Sequence, residues 1–169
     1  MTAAKPAALV VNGWTIFAQP LFLDQLAALI DQVEALKRKD LAGYGGKNAT
    51  RLLAAIVTLA FDVIPQDPAR PEYRQGGTLG ADHKHWFRAR FFQQYQLFFR
   101  YHATSRMIVC AWVNDDESKR AYESGHDAYR VFRRMLQSGH PPDDWDRLVA
   151  EAGAQAQRLR KVVARTARG

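Results

Sequence analysis

The chain is poor in cysteine, with Cys110 the only one among 169 residues. A single cysteine excludes a disulfide framework within the chain and any cysteine-rich zinc module. No run of apolar residues approaches the roughly 20 that a membrane-spanning helix needs, and the N-terminus does not resemble a signal peptide. We therefore expect a cytoplasmic protein with no membrane partner.

Common enzyme signatures are also missing. The sequence contains no G-x-S-x-G, no phosphate-binding Gly-Lys-Ser loop and no G-x-G-x-x-G. Acidic residues are sparse around its most basic segment, which argues against hydrolysis of phosphodiesters by two metal ions. Cys110 lies between Val109 and Ala111 in a strand-like run, so we expect a core residue rather than a nucleophile.

What the chain does have is apolar residues and positive charge. Hydrophobic residues make up 47% and aromatic residues 11% of the sequence, which predicts a folded core. The net charge of +7 and the pI of about 9.8 indicate a polyanionic partner. Residues 70–106 contribute seven cations and two carboxylates, interleaved with aromatic residues, and residues 151–169 contribute five cations and one carboxylate.

The length and the charge pattern predict one domain with a basic helix end or tail over residues 151–169. The last segment has few large apolar residues, so a solvated, fraying helix end is favoured over a nucleic-acid-binding arm.

The order of predicted elements indicates an α+β fold. A β-branched, aromatic run predicts a strand over 10–18, and helical spacing predicts a helix from Pro20 to Lys39 and another that Asn48 caps, which together form a helical hairpin. Residues 65–80, with three prolines, predict a long loop without helix. Short links between runs over 85–92, 95–102 and 107–114 predict an antiparallel meander. C-terminal helices are expected over 128–137, capped by Asp127 and ended by Gly139, and from Pro141 onward.

Strand alternation divides the meander into two faces. The apolar face is expected to pack on the helices; it contains Phe87, Ala89, Phe91, Leu97, Phe99 and Tyr101. The other face carries Arg88, Arg90, Gln96, Arg100 and His102, with Trp86 and Phe98 as possible platforms for stacking bases. Guanidinium groups beside exposed rings bind phosphates and unstacked bases, but an ordinary solvated face explains the pattern about equally well.

The segment His83-Lys84-His85 places two imidazoles just before the arginine-rich strand. No third His, Cys or carboxylate is obvious at a matching spacing, so a metal site is disfavoured. Proton transfer or phosphate contact is the better functional interpretation, and solvent-exposed loop histidines are the alternative. His126 and His140 have no supporting neighbours and are expected at the surface.

Six ordered segments of this sequence closely resemble the YhaV toxins. They are Asn12-Gly13-Trp14, Pro20-Leu21-Phe22, Tyr95-Gln96-Leu97-Phe98-Phe99-Arg100-Tyr101, Trp112-Val113-Asn114-Asp115, Asp127-Ala128-Tyr129-Arg130-Val131-Phe132 and Gly139-His140-Pro141-Pro142-Asp143-Asp144-Trp145. The resemblance runs from about residue 12 to about residue 150, which implies one domain over 12–150 after a flexible N-terminus over residues 1–11. It implies a RelE-like fold, with an N-terminal helical hairpin, an antiparallel sheet and C-terminal helices.

The resemblance also implies a function and partners. The expected protein is the toxin of a type II toxin–antitoxin system, an endoribonuclease that cuts mRNA on the ribosome without a cofactor. Its expected antitoxin is PrlF-like, with an AbrB-type swapped-hairpin domain, and operator DNA would be bound only indirectly through that antitoxin. A gyrase-poisoning toxin of the ParE type and a non-catalytic nucleic-acid-binding module are the alternatives.

Family roles can be placed on individual residues of this sequence. The key arginine after the tryptophan falls on Arg88, followed by Arg90, and these two are expected to clamp the scissile phosphate. Gln96 departs from the arginine that often follows the tyrosine, and Arg100 is the candidate replacement.

The remaining roles are spread along the chain. The functional arginine and tyrosine after the last strand correspond to Arg120 and Tyr122. Tyr122 is the first candidate for proton transfer, ahead of His85 and His102. Further expected RNA contacts are His83, Lys84 and Lys119.

Overall fold

The computed structural model describes residues 8–114 and 128–167, and it confirms the α+β class. The strands are β1 (Val10–Val11), β2 (Trp14–Ala18), β3 (Phe87–Phe91), β4 (Tyr95–His102) and β5 (Met107–Val113). The helices are α1 (Pro20–Lys39), α2 (Asn48–Gln66), α3 (Ala128–Gln137), α4 (Trp145–Gly153) and α5 (Ala156–Ala167). Single 3₁₀ turns lie at Tyr44–Gly46, Pro71–Tyr73 and Ala81–His83.

The five strands form one sheet in the order β1-β2-β5-β4-β3. The predicted meander is confirmed, because β3 pairs with β4 and β4 with β5, both antiparallel. On the other side of β5, β2 pairs in parallel, so the complete sheet is mixed. The most basic strand, β3, therefore forms one edge of the sheet.

The strand predicted over 10–18 is wrong as a single element. Asn12 and Gly13 both have positive φ, of 51° and 81°, and they turn the chain so that Val11 pairs with Trp14. An Asn-Gly pair favours this two-residue hairpin turn, because both residues tolerate the left-handed region. The Asn12 side chain also donates to the carbonyl of Pro65 at 3.1 Å and so ties the hairpin to the end of α2.

Both faces of the sheet are covered by helices, and each face has its own core. On one face, α1, α2 and α5 pack on the predicted apolar set, with Phe22, Leu26, Ile56 and Leu159 buried against Leu97 and Phe99. On the other face, α3 and α4 pack through Phe132, Leu136 and Leu148. Cys110 is fully buried as predicted, and desolvation raises the pKa of its thiol to about 12, which confirms a core role.

Helix α2 differs from its prediction at both ends. Asn48 lies inside the first turn rather than at the cap, which is Lys47. The helix also continues through Pro65, because a π-helical segment at Leu59–Val63 widens the backbone just before the proline, where an ordinary α-helix would clash with its ring. By length and composition alone this 19-residue helix could cross a membrane, contrary to our expectation of no such run. It packs instead against α1 and the sheet, with Leu52, Ile56 and Ala60 buried.

The basic C-terminal segment is not a solvated, fraying helix end, and this prediction was wrong. It forms α5, whose Leu159 and Val162 are 2% and 5% exposed in the main core. Arg158 pairs with Asp24 at 2.6 Å, and Arg165 pairs with Asp31 at 2.7 Å, both on α1. Two apolar side chains three residues apart were enough to bury one stripe of this helix, although most of the rest of it is polar.

This packing predicts a stability effect at the C-terminus. Leu159→Ala is expected to lower the free energy of unfolding by about 2–5 kcal/mol, because it removes a buried side chain and leaves a cavity. The exposed neighbour Arg160 is the control, and Arg160→Ala is expected to change stability by less than about 0.5 kcal/mol. Urea unfolding of both variants measures the difference; equal midpoints would contradict the packed position of α5.

Candidate active site

The second sheet face is closed rather than open, which corrects the idea of exposed stacking platforms. Trp86 and Phe98 are both 0% exposed. Phe98 stacks on Phe132 of α3 with ring centroids 4.4 Å apart, and Trp86 meets the same ring edge-on at 5.0 Å. RNA cannot stack on these rings in this structure, so a site must lie at the rim of this face.

At that rim, three ring nitrogens lie within hydrogen-bonding distance of one carboxylate. Asp143, in the loop before α4, accepts at Oδ1 from Trp86 Nε1 at 2.8 Å and from His85 Nε2 at 2.8 Å. His83 Nδ1 lies 3.3 Å from the same oxygen. The predicted start of the last helix at Pro141 was wrong, because α4 begins at Trp145 with Asp144 as its N-cap. The two prolines and Asp143 instead form the loop that reaches the histidines.

The chemistry of this contact sets the tautomers of both rings. Burial raises the pKa of Asp143, but the hydrogen bonds from Trp86 and His85 outweigh it and hold the pKa below its ordinary value of 3.8. An ionised carboxylate only accepts hydrogen bonds, so we infer that His85 carries its proton on Nε2 and His83 on Nδ1. Nδ1 of neutral His85 is then left as an acceptor for a proton. A carboxylate that orients a histidine in this way is a common device for general acid–base catalysis.

Arg100 fixes the loop that carries Asp143. Its Nη1 donates to the backbone carbonyl of Asp143 at 2.7 Å, and its guanidinium lies between the rings of Trp86 and Trp145, at 5.5 and 5.1 Å. Burial lowers its pKa, while Asp143 and Asp144 raise it in part; an arginine remains charged in such surroundings. Arg100 therefore positions the loop, and His102 continues the stack, 5.7 Å from the Trp145 ring.

Arg88 is held on the same sheet face, two residues after Trp86. Its Nε donates to the hydroxyl of Tyr129 on α3 at 2.8 Å, and Nη1 donates to the carbonyl of Glu72 at 2.6 Å. Residues two apart along an extended chain are separated by about 7 Å at the backbone, which is the spacing of Arg88 from Trp86, whose N–H contacts Asp143. The Pro71–Tyr73 turn in the long loop supplies the Glu72 carbonyl, which gives that loop a role at the site.

The other predicted RNA-binding residues are not brought into this cluster. Arg90 and Lys84 are exposed. Gln96, paired with Arg90 across the strands, is 9% exposed; its backbone N–H donates to Asn114 Oδ1 at 2.6 Å, and its own Oε1 has no partner among the described residues. Lys119, Arg120 and Tyr122 lie outside the described residues, as do Asp127 and His126. His140 is exposed, as predicted.

Sequence reasoning missed Asp143 and Tyr129 as site residues. Both stood inside segments that carried the family resemblance, but Asp143 had been assigned to a helix start. It lies 58 positions after His85, and only the packing of α3 and α4 on the sheet brings the two together. The one sequence signal for the position of Asp143 was the pair of prolines before it. Two successive prolines favour a rigid turn at this point over a helix that already includes Asp143.

An apolar groove lies elsewhere, on the sheet side that packs on α2. It encloses about 440 Å³ and is lined by Arg51, Ala54, Ala55, Thr58, Leu59, Val63, Phe91 and Phe92. Arg51 is its one charged lining residue, and it stacks over the Phe92 ring at 5.8 Å. The groove offers no acid–base pair, so it is not the candidate active site.

Comparison with known proteins points to one family. The model of the YhaV toxin family, described as a toxin with endonuclease activity of a toxin–antitoxin system, matches residues 16–153. The toxin YhaV of Escherichia coli O6:H1 is 43% identical over 143 residues, and the ribonuclease toxin YhaV of Escherichia coli K12 is 42% identical over 143 residues. Each alignment covers 83% of this chain and 93% of the relative. No solved structure matches the chain, so the RelE-like assignment remains a prediction.

Proposed function

Because the chain belongs to the YhaV family of toxins with endonuclease activity, we propose that it is an endoribonuclease that cuts mRNA on the ribosome. The observation that carries this proposal is the His85–Asp143 pair at the rim of a face that also holds Arg88. A phosphate ligand and an oriented proton acceptor are the two groups that RNA cleavage requires, since RNA supplies its own nucleophile.

The proposed reaction is transesterification without a metal ion. The 2′-oxygen attacks the adjacent phosphorus while its proton passes to Nδ1 of His85. The bond from phosphorus to the 5′-oxygen breaks, and that oxygen takes a proton from an acid. The products are a 2′,3′-cyclic phosphate and a 5′-hydroxyl. Tyr122 remains a candidate for the acid, and His102 is the alternative.

Arg88 is proposed to stabilise the charge that develops on the phosphate. Its guanidinium is held in place by the hydrogen bonds from Nε to Tyr129 and from Nη1 to the Glu72 carbonyl, so little reorganisation is needed when RNA binds. Arg90 is exposed two residues further along the edge strand and would hold a neighbouring phosphate. Arg100 contributes by fixing the Asp143 loop rather than by direct contact.

The proposed partner is an antitoxin of the PrlF-like type, and operator DNA would be reached only through it. The family description places the toxin in a toxin–antitoxin system. Arg88 and Arg90 lie on the edge strand β3, which presents positive charge and whose outer side is bridged to Arg74 at Phe87. We propose that an acidic antitoxin segment covers this edge and excludes RNA.

Primer extension on mRNA tests the proposal. Induction of the chain without antitoxin should produce defined cuts, and Arg88→Ala should reduce them by about 10²–10³-fold, by analogy with the loss of one oxyanion donor. Arg38→Ala removes the same charge from an exposed position of α1 and should leave the cuts unchanged.

Four outcomes would contradict parts of this proposal. Intact mRNA with DNA-damage signals would indicate a gyrase poison, and salt-sensitive binding without product would indicate a binding module. Ribosome dependence and metal independence are tested with the purified chain, by measuring cleavage with and without ribosomes and in the presence of EDTA. Cleavage that is equal without ribosomes would contradict ribosome dependence, and loss of cleavage in EDTA would contradict metal independence.

A further inference from the structure

Three potential metal ligands from two loops converge at the rim of the sheet. They are Nδ1 of His83, Nε2 of His85 and the carboxylate of Asp143, and these ligand atoms all lie within 4.8 Å of one another. Their side chains are 17%, 37% and 37% exposed, so an ion from solvent can reach them. We propose that this cluster binds a zinc-like divalent transition metal ion and that the bound ion switches the ribonuclease off.

Two of the three ligand spacings are close to those of tetrahedral coordination. With metal–ligand bonds of about 2.0–2.1 Å, neighbouring ligands of a tetrahedral ion are about 3.3 Å apart. The distances to Asp143 Oδ1 are 3.3 Å from His83 and 2.8 Å from His85. Small rotations of the two rings would admit the ion between the three atoms, and a water molecule would complete the fourth position.

The surroundings of the ligands resemble the outer shell of a metal site. Trp86 Nε1 donates to the Asp143 carboxylate, and Arg100 holds the backbone of the same residue. Such outer contacts orient ligands and typically change metal affinity by 10–100-fold when they are removed. The Asp143 loop therefore has the rigidity that a site requires before the ion arrives.

The donor set selects the class of ion. Two imidazoles with one carboxylate suit Zn²⁺, Co²⁺ or Ni²⁺, whereas Mg²⁺ and Ca²⁺ prefer oxygen ligands alone. The His-x-His segment alone did not predict the site, because its third ligand is contributed by the loop before α4. Asp143 is the third ligand that the His-x-His segment lacked.

The bound ion would block the proposed proton transfer, and this part of the inference rests on the proposed function. A metal at Nε2 of His85 requires a lone pair there, so in the neutral ring the proton moves to Nδ1. Nδ1 can then no longer accept the proton of the 2′-hydroxyl. Binding and catalysis thus need opposite tautomers of the same ring.

Binding is tested on the full chain with metal alone. Co²⁺ is added to the metal-free chain and its d–d absorption bands are recorded, followed by competition with Zn²⁺. The bands of a tetrahedral site should appear at one equivalent. His83→Ala should weaken Zn²⁺ binding at least 10-fold, while the exposed-histidine control His140→Ala should bind as the parent does. Absence of the bands, or equal binding by all three proteins, would overturn the site.

Inhibition is tested separately, with each protein compared with its own metal-free rate. Stoichiometric Zn²⁺ should suppress cleavage by the parent chain, and His83→Ala should need at least 10-fold more Zn²⁺ for the same fractional loss. Zn²⁺ that binds without inhibiting, or that activates, would overturn the inhibitory role. If the metal-free chain cleaves no RNA at all, the proposed function and the inhibitory role fail, while the binding measurement still decides whether the site exists.

Discussion

Replacement of His85 by alanine is expected to lower the rate of RNA cleavage by about 10²–10⁴-fold, the usual contribution of one general acid or base. The expectation follows from the contact of Nε2 with Asp143 at 2.8 Å, which leaves Nδ1 as the proton acceptor. Single-turnover cleavage of an mRNA on programmed ribosomes measures the chemical step without product release.

Two controls make the His85 result specific. His140→Ala removes an exposed histidine and should leave the rate unchanged. His85→Gln retains a polar side chain of similar length that can donate to Asp143, but it cannot transfer a proton, so its rate should fall as far as that of the alanine variant. A His85→Gln rate near the parent value would show that the ring only positions the loop.

Substitution of Asp143 is expected to affect both activity and stability. Asp143→Ala leaves the N–H of fully buried Trp86 without its acceptor, which costs about 1–3 kcal/mol in the free energy of unfolding. Asp143→Asn keeps an acceptor oxygen but removes the charge that orients His85. We expect both variants to lose most cleavage activity and the alanine variant to be the less stable of the two. Equal unfolding midpoints for the two variants would contradict the Trp86 contact.

The pH dependence of stability provides a second check on Asp143. Its pKa is lower in the folded protein than its ordinary value of 3.8. A lowered pKa means that the ionised group stabilises the fold above that ordinary value, and that this contribution is lost as the pH falls through the folded pKa. The stability difference between the parent and Asp143→Asn should therefore be full near neutral pH and disappear in strong acid, as followed by urea unfolding.

Local sequence patterns predicted most helices and strands, but they did not predict which side chains cover each face of the sheet. The helix at Pro20–Lys39 and the meander followed from apolar periodicity and short links, which are properties of neighbouring residues. The coverage of the second sheet face did not follow, because Arg88, Arg100 and His102 alternate with apolar residues as on a solvated surface. Only tertiary packing shows that Phe132 occupies the space over Phe98.

The candidate site was predicted in part for the same reason. Arg88 and His85 lie within one short, basic segment, so sequence reasoning found both. Asp143 and Tyr129 come from elements that follow the sheet, and no spacing rule relates them to β3. The C-terminal segment was predicted to be solvated because it contains many cations. Its two apolar side chains, Leu159 and Val162, nevertheless place α5 in the core.

The double attachment of the Asp143 loop has a consequence for the energetics of turnover. Trp86 holds the carboxylate and Arg100 holds the backbone of the same residue, and neither contact involves RNA. The rotational freedom of the His85 ring is therefore restricted in the free protein. The entropy loss of ordering the His85 ring therefore occurs once, when the chain folds, and not again each time an mRNA binds.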